Sequence, residues 1–117
     1  MEVNRQELSS LLSNVMEECG EQPHLYFQPP ESVKMEYPCI VYHLRTMTAQ
    51  YADNRPYTLA IGFDVTYISR SPTSEVPTRL AKEPLFGFDR YYRADNLHHY
   101  AYTTTNTLKE VSDGNIP

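Results

Sequence analysis

Tyr57-Thr58-Leu59-Ala60-Ile61-Gly62-Phe63-Asp64-Val65-Thr66-Tyr67 is the stretch that decides the fold. Tyr57, Leu59, Ile61, Phe63, Val65 and Tyr67 alternate with small or polar residues. A helix would scatter that set around its circumference, whereas a strand gathers it on one face. The spacing therefore predicts a long strand over 57–69. Upstream, Cys39-Ile40-Val41-Tyr42-His43-Leu44 is apolar and rich in strand formers, and reads as a strand buried on both faces or nearly so. It continues through Arg45 to Tyr51 as a more exposed arm. Between the two runs, Ala52-Asp53-Asn54-Arg55-Pro56 has the composition of a turn. Together, 39–51 and 57–69 predict an antiparallel hairpin much longer than a typical strand pair. A hairpin that outruns its own core has to pack on something else, and a neighbouring subunit is the economical candidate.

Downstream, Ser71-Pro72-Thr73-Ser74 breaks the strand. A helix of about two turns follows around 75–82, with Ser74 or Thr73 as the cap and Pro77 in its first turn. Phe86, Phe88, Arg90 and Tyr92 then alternate, and His98, Tyr100, Tyr102 and Thr104 do so again. Arg93-Ala94-Asp95-Asn96 between them reads as the turn of a second hairpin. Upstream of everything, Leu8, Leu11, Leu12, Val15, Met16 and Cys19 recur at spacings of three and four, which predicts an amphipathic helix over 4–19. Asn4 with Glu7 suits its start and Gly20 its left-handed stop. His24-Leu25-Tyr26-Phe27-Gln28 is a short strand, and 29–38 is a proline-rich loop. The expected class is α+β: an antiparallel sheet with a long hairpin, packed on one face by the N-terminal helix and a short second helix. Residues 1–108 read as one domain, and 109–117 as a flexible tail.

Composition narrows the function. The chain has 117 residues, a mass of 13.6 kDa and a net charge of -5. One domain of that size buries about two-thirds of its surface, enough for a core without metals or disulfides. Fifteen acidic against ten basic residues exclude a domain that holds nucleic acid by massed phosphate contacts. No apolar run reaches the roughly 18 residues of a membrane span, and the N-terminus lacks the pattern of a secretory signal. Ten Tyr and no Trp suit amphipathic sheet faces and subunit contacts.

No chemistry assembles along the chain. Its four glycines do not cluster into a phosphate loop, and no serine sits in a nucleophile elbow. His98 and His99 are adjacent, so on a strand they point to opposite faces and do not share an ion. Cys19 and Cys39 read as reduced, small core residues, and the apolar neighbours of Cys39 would raise its thiol pKa rather than activate it. Asp64 reads as solvated. The expectation is a non-enzyme without cofactor or metal.

Four stretches carry a resemblance. They are Tyr37-Pro38-Cys39-Ile40-Val41-Tyr42, Tyr51-Ala52-Asp53-Asn54-Arg55-Pro56-Tyr57, 65–77, and 88–99 with its Phe88-Asp89-Arg90 start. Over roughly 5–105 the chain resembles the tail-completion, or tail-terminator, proteins of long-tailed bacteriophages, also labelled minor capsid or tail-to-head joining proteins. The resemblance implies a virion structural protein of the tail or neck, built in the host cytoplasm. It would form a ring, usually sixfold, that caps the tail tube, stops its polymerisation and offers a docking face to the head connector. Its partners would be further copies of itself, the major tail tube protein and the head-completion protein, with DNA passing through unbound. Candidate contact residues are Tyr51, Asp53, Asn54, Arg55 and Tyr57 on the arm, and Arg93, Asp95 and Asn96 at the second turn. Tyr100 and Tyr102 fit either an interface or the core. The alternatives are a head-completion or connector protein of the same neck, or an acidic binding module that mimics DNA.

Overall fold

The computed structural model describes residues 5–52 and 55–109, except for the side chains of 50–52, 55–59 and 105–109. Its elements run α1 (Arg5–Glu18), β1 (Leu25–Phe27), β2 (Cys39–Ala52), β3 (Arg55–Ser69), α2 (Val76–Ala81), β4 (Phe86–Ala94) and β5 (Leu97–Lys109). The strands form one sheet in the order β1-β2-β3-β5-β4. Pairing is antiparallel everywhere except between β1 and β2, which are parallel. The parallel pair follows from the loop 28–38, which carries the chain back to the start of β2 before the next strand begins. The class is the α+β fold that the hydrophobic pattern predicts.

Helix α1 buries Leu8, Leu12, Val15 and Met16. They lie against Ile40 and Tyr42 of β2 and against Ile61, Phe63, Val65 and Tyr67 of β3 in one core. The helix stops where its sequence says it should. Gly20 adopts φ 77°, its N–H donates to the Glu17 carbonyl, and the Glu21 N–H reaches back to that of Met16. That pair of bonds is the Schellman stop, and glycine is the residue that takes its left-handed turn without a Cβ clash. Helix α2 adds Val76 and Leu80 to the same core. Its N-cap residue is Glu75, whose side chain makes no cap bond, but the expected Ser74 still accepts the Val76 N–H at 3.2 Å.

A polar triangle locks these parts together. Tyr67 Oη donates to Glu21 Oε1 at 2.5 Å, and Ser74 Oγ donates to Glu21 Oε2 at 2.6 Å. One carboxylate thus ties the end of α1 to the end of β3 and the start of α2. Tyr102 is the matching anchor on β5: it is buried in the core, and its hydroxyl donates to the Pro77 carbonyl at 2.7 Å. Of the two readings the sequence left open for Tyr102, the core is the one realised.

Two turns are tighter than expected. Ala52 already pairs with Arg55 and Tyr51 with Pro56, so only residues 53 and 54 separate β2 from β3. Pro56 is accommodated beside a register shift between Gln50 and Tyr51, the setting in which a strand tolerates proline. At the other hairpin, Arg93 and Ala94 belong to β4, and Ala94 pairs with Leu97. The turn proper is Asp95-Asn96, both at positive φ (53° and 61°), which matches the right-handed twist of the strands it joins. Strand β5 is longer than its alternation showed and pairs with β3 as far as Thr58↔Lys109. The expected tail otherwise lies at 110–117, outside the described residues.

Candidate assembly surfaces

Both helices pack on the sheet face that carries Ile40, Tyr42, Phe63, Val65, Tyr67 and Tyr102. By strand alternation the opposite face presents Val41, His43, Thr66, His99, Ala101 and Thr103. Asp64 lies on that open face and, against expectation, is half-buried and paired. His43 Nε2 and the Arg45 Nε each lie 3.3 Å from its carboxylate. Arg45 is the extra residue of the register shift between Leu44 and Thr46. Its guanidinium crosses above Gly62 and donates to the Thr104 carbonyl at 3.2 Å, spanning three strands. A Cβ on Gly62 would stand 2.5 Å from Arg45 Nη2 and 2.8 Å from Thr46 Cγ2, so glycine is what lets the arginine lie flat. The bulge re-aims one side chain across the sheet just where the arm leaves the core.

The sheet has two unlike edges. On one side, β1 covers β2 only opposite Ile40, Val41 and Tyr42. Gln28, at φ 45°, then ends the coverage: its N–H donates to the Tyr42 carbonyl and its Oε1 accepts the Leu44 N–H. Beyond that cap, among the described residues, no strand pairs with the outer edge of β2 over 45–52. On the other side, β4 is the last strand, and its outer edge over 86–94 pairs with nothing among the described residues. Neither stretch contains Lys or Pro, though β4 carries Asp89, Arg90 and Arg93 and both strands have a register shift.

Both edges are flanked by exposed apolar side chains on the helix-bearing face, and β4 also exposes Tyr92 on the open face. On the helix-bearing face these are Leu44 (38% exposed) and Met47 (44%) beside β2, and Phe88 (55%) and Tyr91 (47%) along β4. Leu44 and Met47 also line a groove of about 130 Å³ with Phe27, Ile61, Phe63 and Arg5, whose guanidinium lies 4.6 Å from the Phe27 ring centre. At the far edge Tyr91 stacks on His98, with its hydroxyl 2.7 Å from Nδ1, while Tyr92 stacks on His99 on the open face. The two histidines therefore point to opposite faces.

The contact residues expected from sequence fall into two groups at opposite ends of the sheet. Tyr51, Arg55 and Tyr57 lie at the end of the arm, in β2 and β3. Asp53 and Asn54 join those strands and lie outside the described residues. Arg93, Asp95 and Asn96 are exposed at the other end, about 45 Å away along the strands. The structure does not bring the two groups together within one copy. Leu44, Met47, Phe88 and Tyr91 escaped the sequence reading, because which strand is an edge depends on strand order and not on local pattern.

Titration offers no reactive thiol. Burial pushes the Cys39 thiol up to about 12, and burial with nearby Glu21 raises that of Cys19. Burial likewise raises the phenols of Tyr67 and Tyr102. No group of three His, Cys, Asp or Glu able to hold a metal occurs among the described residues, and no helix among them is long and apolar enough to cross a membrane. No protein-family model matches the chain, and a search of characterised proteins returned no relative.

Proposed function

We propose that the chain is a structural subunit that closes into a homo-oligomeric ring at the head end of a phage tail. There it stops growth of the tail tube and presents a docking face to the head connector. The observation that carries this reading is the pair of unlike open edges on opposite sides of one sheet. Two different, complementary patches make a head-to-tail contact, and head-to-tail contacts close into rings when the rotation permits. The resemblance at 37–42, 51–57, 65–77 and 88–99 supplies the tail context. The excess of fifteen acidic over ten basic residues suits a channel through which DNA slides without sticking.

The test is native mass spectrometry and electron microscopy of the purified protein mixed with purified tail tubes. Rings seated at tube ends are expected. A protein that stays monomeric with tubes present would sink the proposal. Filter binding separates the neighbouring reading: salt-sensitive, sub-micromolar affinity for duplex DNA would indicate a connector that grips DNA rather than a passive terminator.

A further inference from the structure

The geometry points to a specific joint: the outer edge of β4 in one copy pairs antiparallel with the free segment of β2 in the next, Tyr91 opposite Met47 and Phe88 opposite Ala49. This inference rests on the ring reading and names the contact that would build it.

Strand direction allows it. Across the sheet β2 and β5 run one way and β3 and β4 the other. Placing a second copy beyond β4 with the same face toward the viewer sets its β2 antiparallel to β4. A simple rotation about a ring axis preserves the face, so the helix-bearing sides stay aligned from copy to copy.

Register then follows from where β2 is free. Gln28 occupies the β2 edge as far as Leu44, so pairing begins after it. The residues of β4 on the helix-bearing face are those opposite Thr104, Tyr102, Tyr100 and His98, namely Phe86, Phe88, Tyr91 and Arg93, with a shift at Asp89. On β2 they are Met47 and Ala49, opposite Ile61 and Leu59. A one-residue slip would turn one set to the wrong side. Setting Tyr91 against Met47 puts Phe88 against Ala49, Arg90 against Thr48 and Tyr92 against Thr46. Phe88 and Tyr91 then meet helix-face residues of β2, while Arg93 falls beside Arg45 at the bulge where the pairing ends. The Tyr91 ring stands beside Met47 at the mouth of the apolar groove, which gives that groove an occupant.

The same register fixes a tilt. Tyr91 is level with Tyr67 through Tyr100, and Met47 with Ile61. Neighbouring copies are therefore offset by the six rungs from Ile61 to Tyr67 on β3, about 20 Å at roughly 3.3 Å per residue. Each copy spans four strand columns, β2, β3, β5 and β4, or about 19 Å. The two lengths set the strands at about 45° to the ring axis, the inclination at which sheets close into barrels. The offset also carries the turn Asp95-Asn96 toward the Gln28 cap of the next copy, which would bring that group of expected contact residues into the joint.

Cysteine pairs test the joint. Met47→Cys and Tyr91→Cys both fall at exposed positions, while native Cys39 is buried and Cys19 half-buried. The concentrated double variant, treated with a short thiol-reactive crosslinker, should give a ladder of linked copies. Each single variant should stay monomeric on the same gel. Dimers from a single variant would mean that like edges meet, which overturns the joint. Rings on tail tubes without Met47–Tyr91 crosslinks would overturn the joint and leave the ring. A protein that is monomeric both free and on tubes removes both. Hydrogen exchange of the monomer is the second measurement: the outward amides of 45–52 should exchange freely. Protection there would mean that the chain's own end already covers the edge, and the joint would fall.

Discussion

The two halves of the sheet are built on opposite terms. At its base the strands carry helices on one face, and Tyr67, Glu21 and Ser74 lock the layers together. In the arm, β2, β3 and the end of β5 continue for several residues with backbone pairing but beyond the two helices. The base is stable because apolar area is buried within one copy. The arm extends that pairing past the helices, with strand-to-strand register from Thr46↔Gly62 to Ala52↔Arg55. That division separates folding from assembly: a residue can matter greatly to one and little to the other.

The largest expected effect sets the scale of that division. Leu12 is fully buried between α1 and the sheet. Leu12→Ala removes buried methyl groups and leaves a cavity, at a cost of about 2–5 kcal/mol in urea unfolding. Met47→Ala, at a residue 44% exposed beside the arm, should cost no more than about 0.5 kcal/mol in the monomer. Equal losses at the two sites would erase the contrast between the halves.

Alkali attacks the base. Cys39 carries a thiol pushed up to about 12 by burial, and burial raises the phenols of Tyr67 and Tyr102 as well. A buried acid whose folded pKa is raised holds its proton longer in the folded chain than in the unfolded one. Its stabilisation is complete below the unfolded pKa, about 9 for the thiol and 10 for the phenols, and is lost as pH climbs toward the folded value. Each such group lowers stability by up to about 1.4 kcal/mol per pH unit in that window. The midpoint in urea should thus fall steeply above pH 9, and Cys39→Ala should lessen the slope between 9 and 12. A flat profile would show that these groups titrate as freely as in the unfolded chain.

Much of this was legible in the sequence, and what was not has a physical reason. The period-two run at 57–67 and the apolar stripe from Leu8 to Cys19 dictate their own elements, because burial selects them wherever the rest of the chain goes. Gly20 and Ser74 announce helix ends through local hydrogen bonds. The turns are shorter than composition predicts, since Pro56, Arg93 and Ala94 have turn composition but are held in strands by cross-strand partners. Asp64 looks solvated in the sequence because the partner that reaches it, Arg45, is aimed there by a bulge and by the missing Cβ of Gly62. The edges depend on strand order, a property of the whole chain, so Met47 and Phe88 carried no local mark.

The two turns give a smaller and sharper contrast. Asp95 and Asn96 both hold positive φ, a conformation that Asn and Asp tolerate better than most residues. Asn96→Ala should therefore cost about 1 kcal/mol, the price of placing an ordinary Cβ in the left-handed region. Asn96→Gly should restore the loss. If alanine is neutral there, the hairpin is held by its aromatic flanks, Tyr91 on His98 and Tyr92 on His99, and not by its turn.

The smallest effect on stability belongs to the other turn. Residues 53 and 54 join strands already paired from Thr46↔Gly62 out to Ala52↔Arg55. Replacing Asp53 and Asn54 together by Ala should leave the melting temperature of the monomer within about 1–2 °C of the parent, the range of a neutral surface change. The same double variant should join tail tubes poorly if the tip of the arm serves a neighbour in the ring. Thermal melts and tube-binding measured on one preparation separate the outcomes. If the variant unfolds early, the arm's register depends on its turn, and the arm belongs to the folding half of the molecule after all. If it melts and joins like the parent, the contact with the tube lies elsewhere on the ring, and the open edges of β2 and β4 are left to carry assembly without the tip.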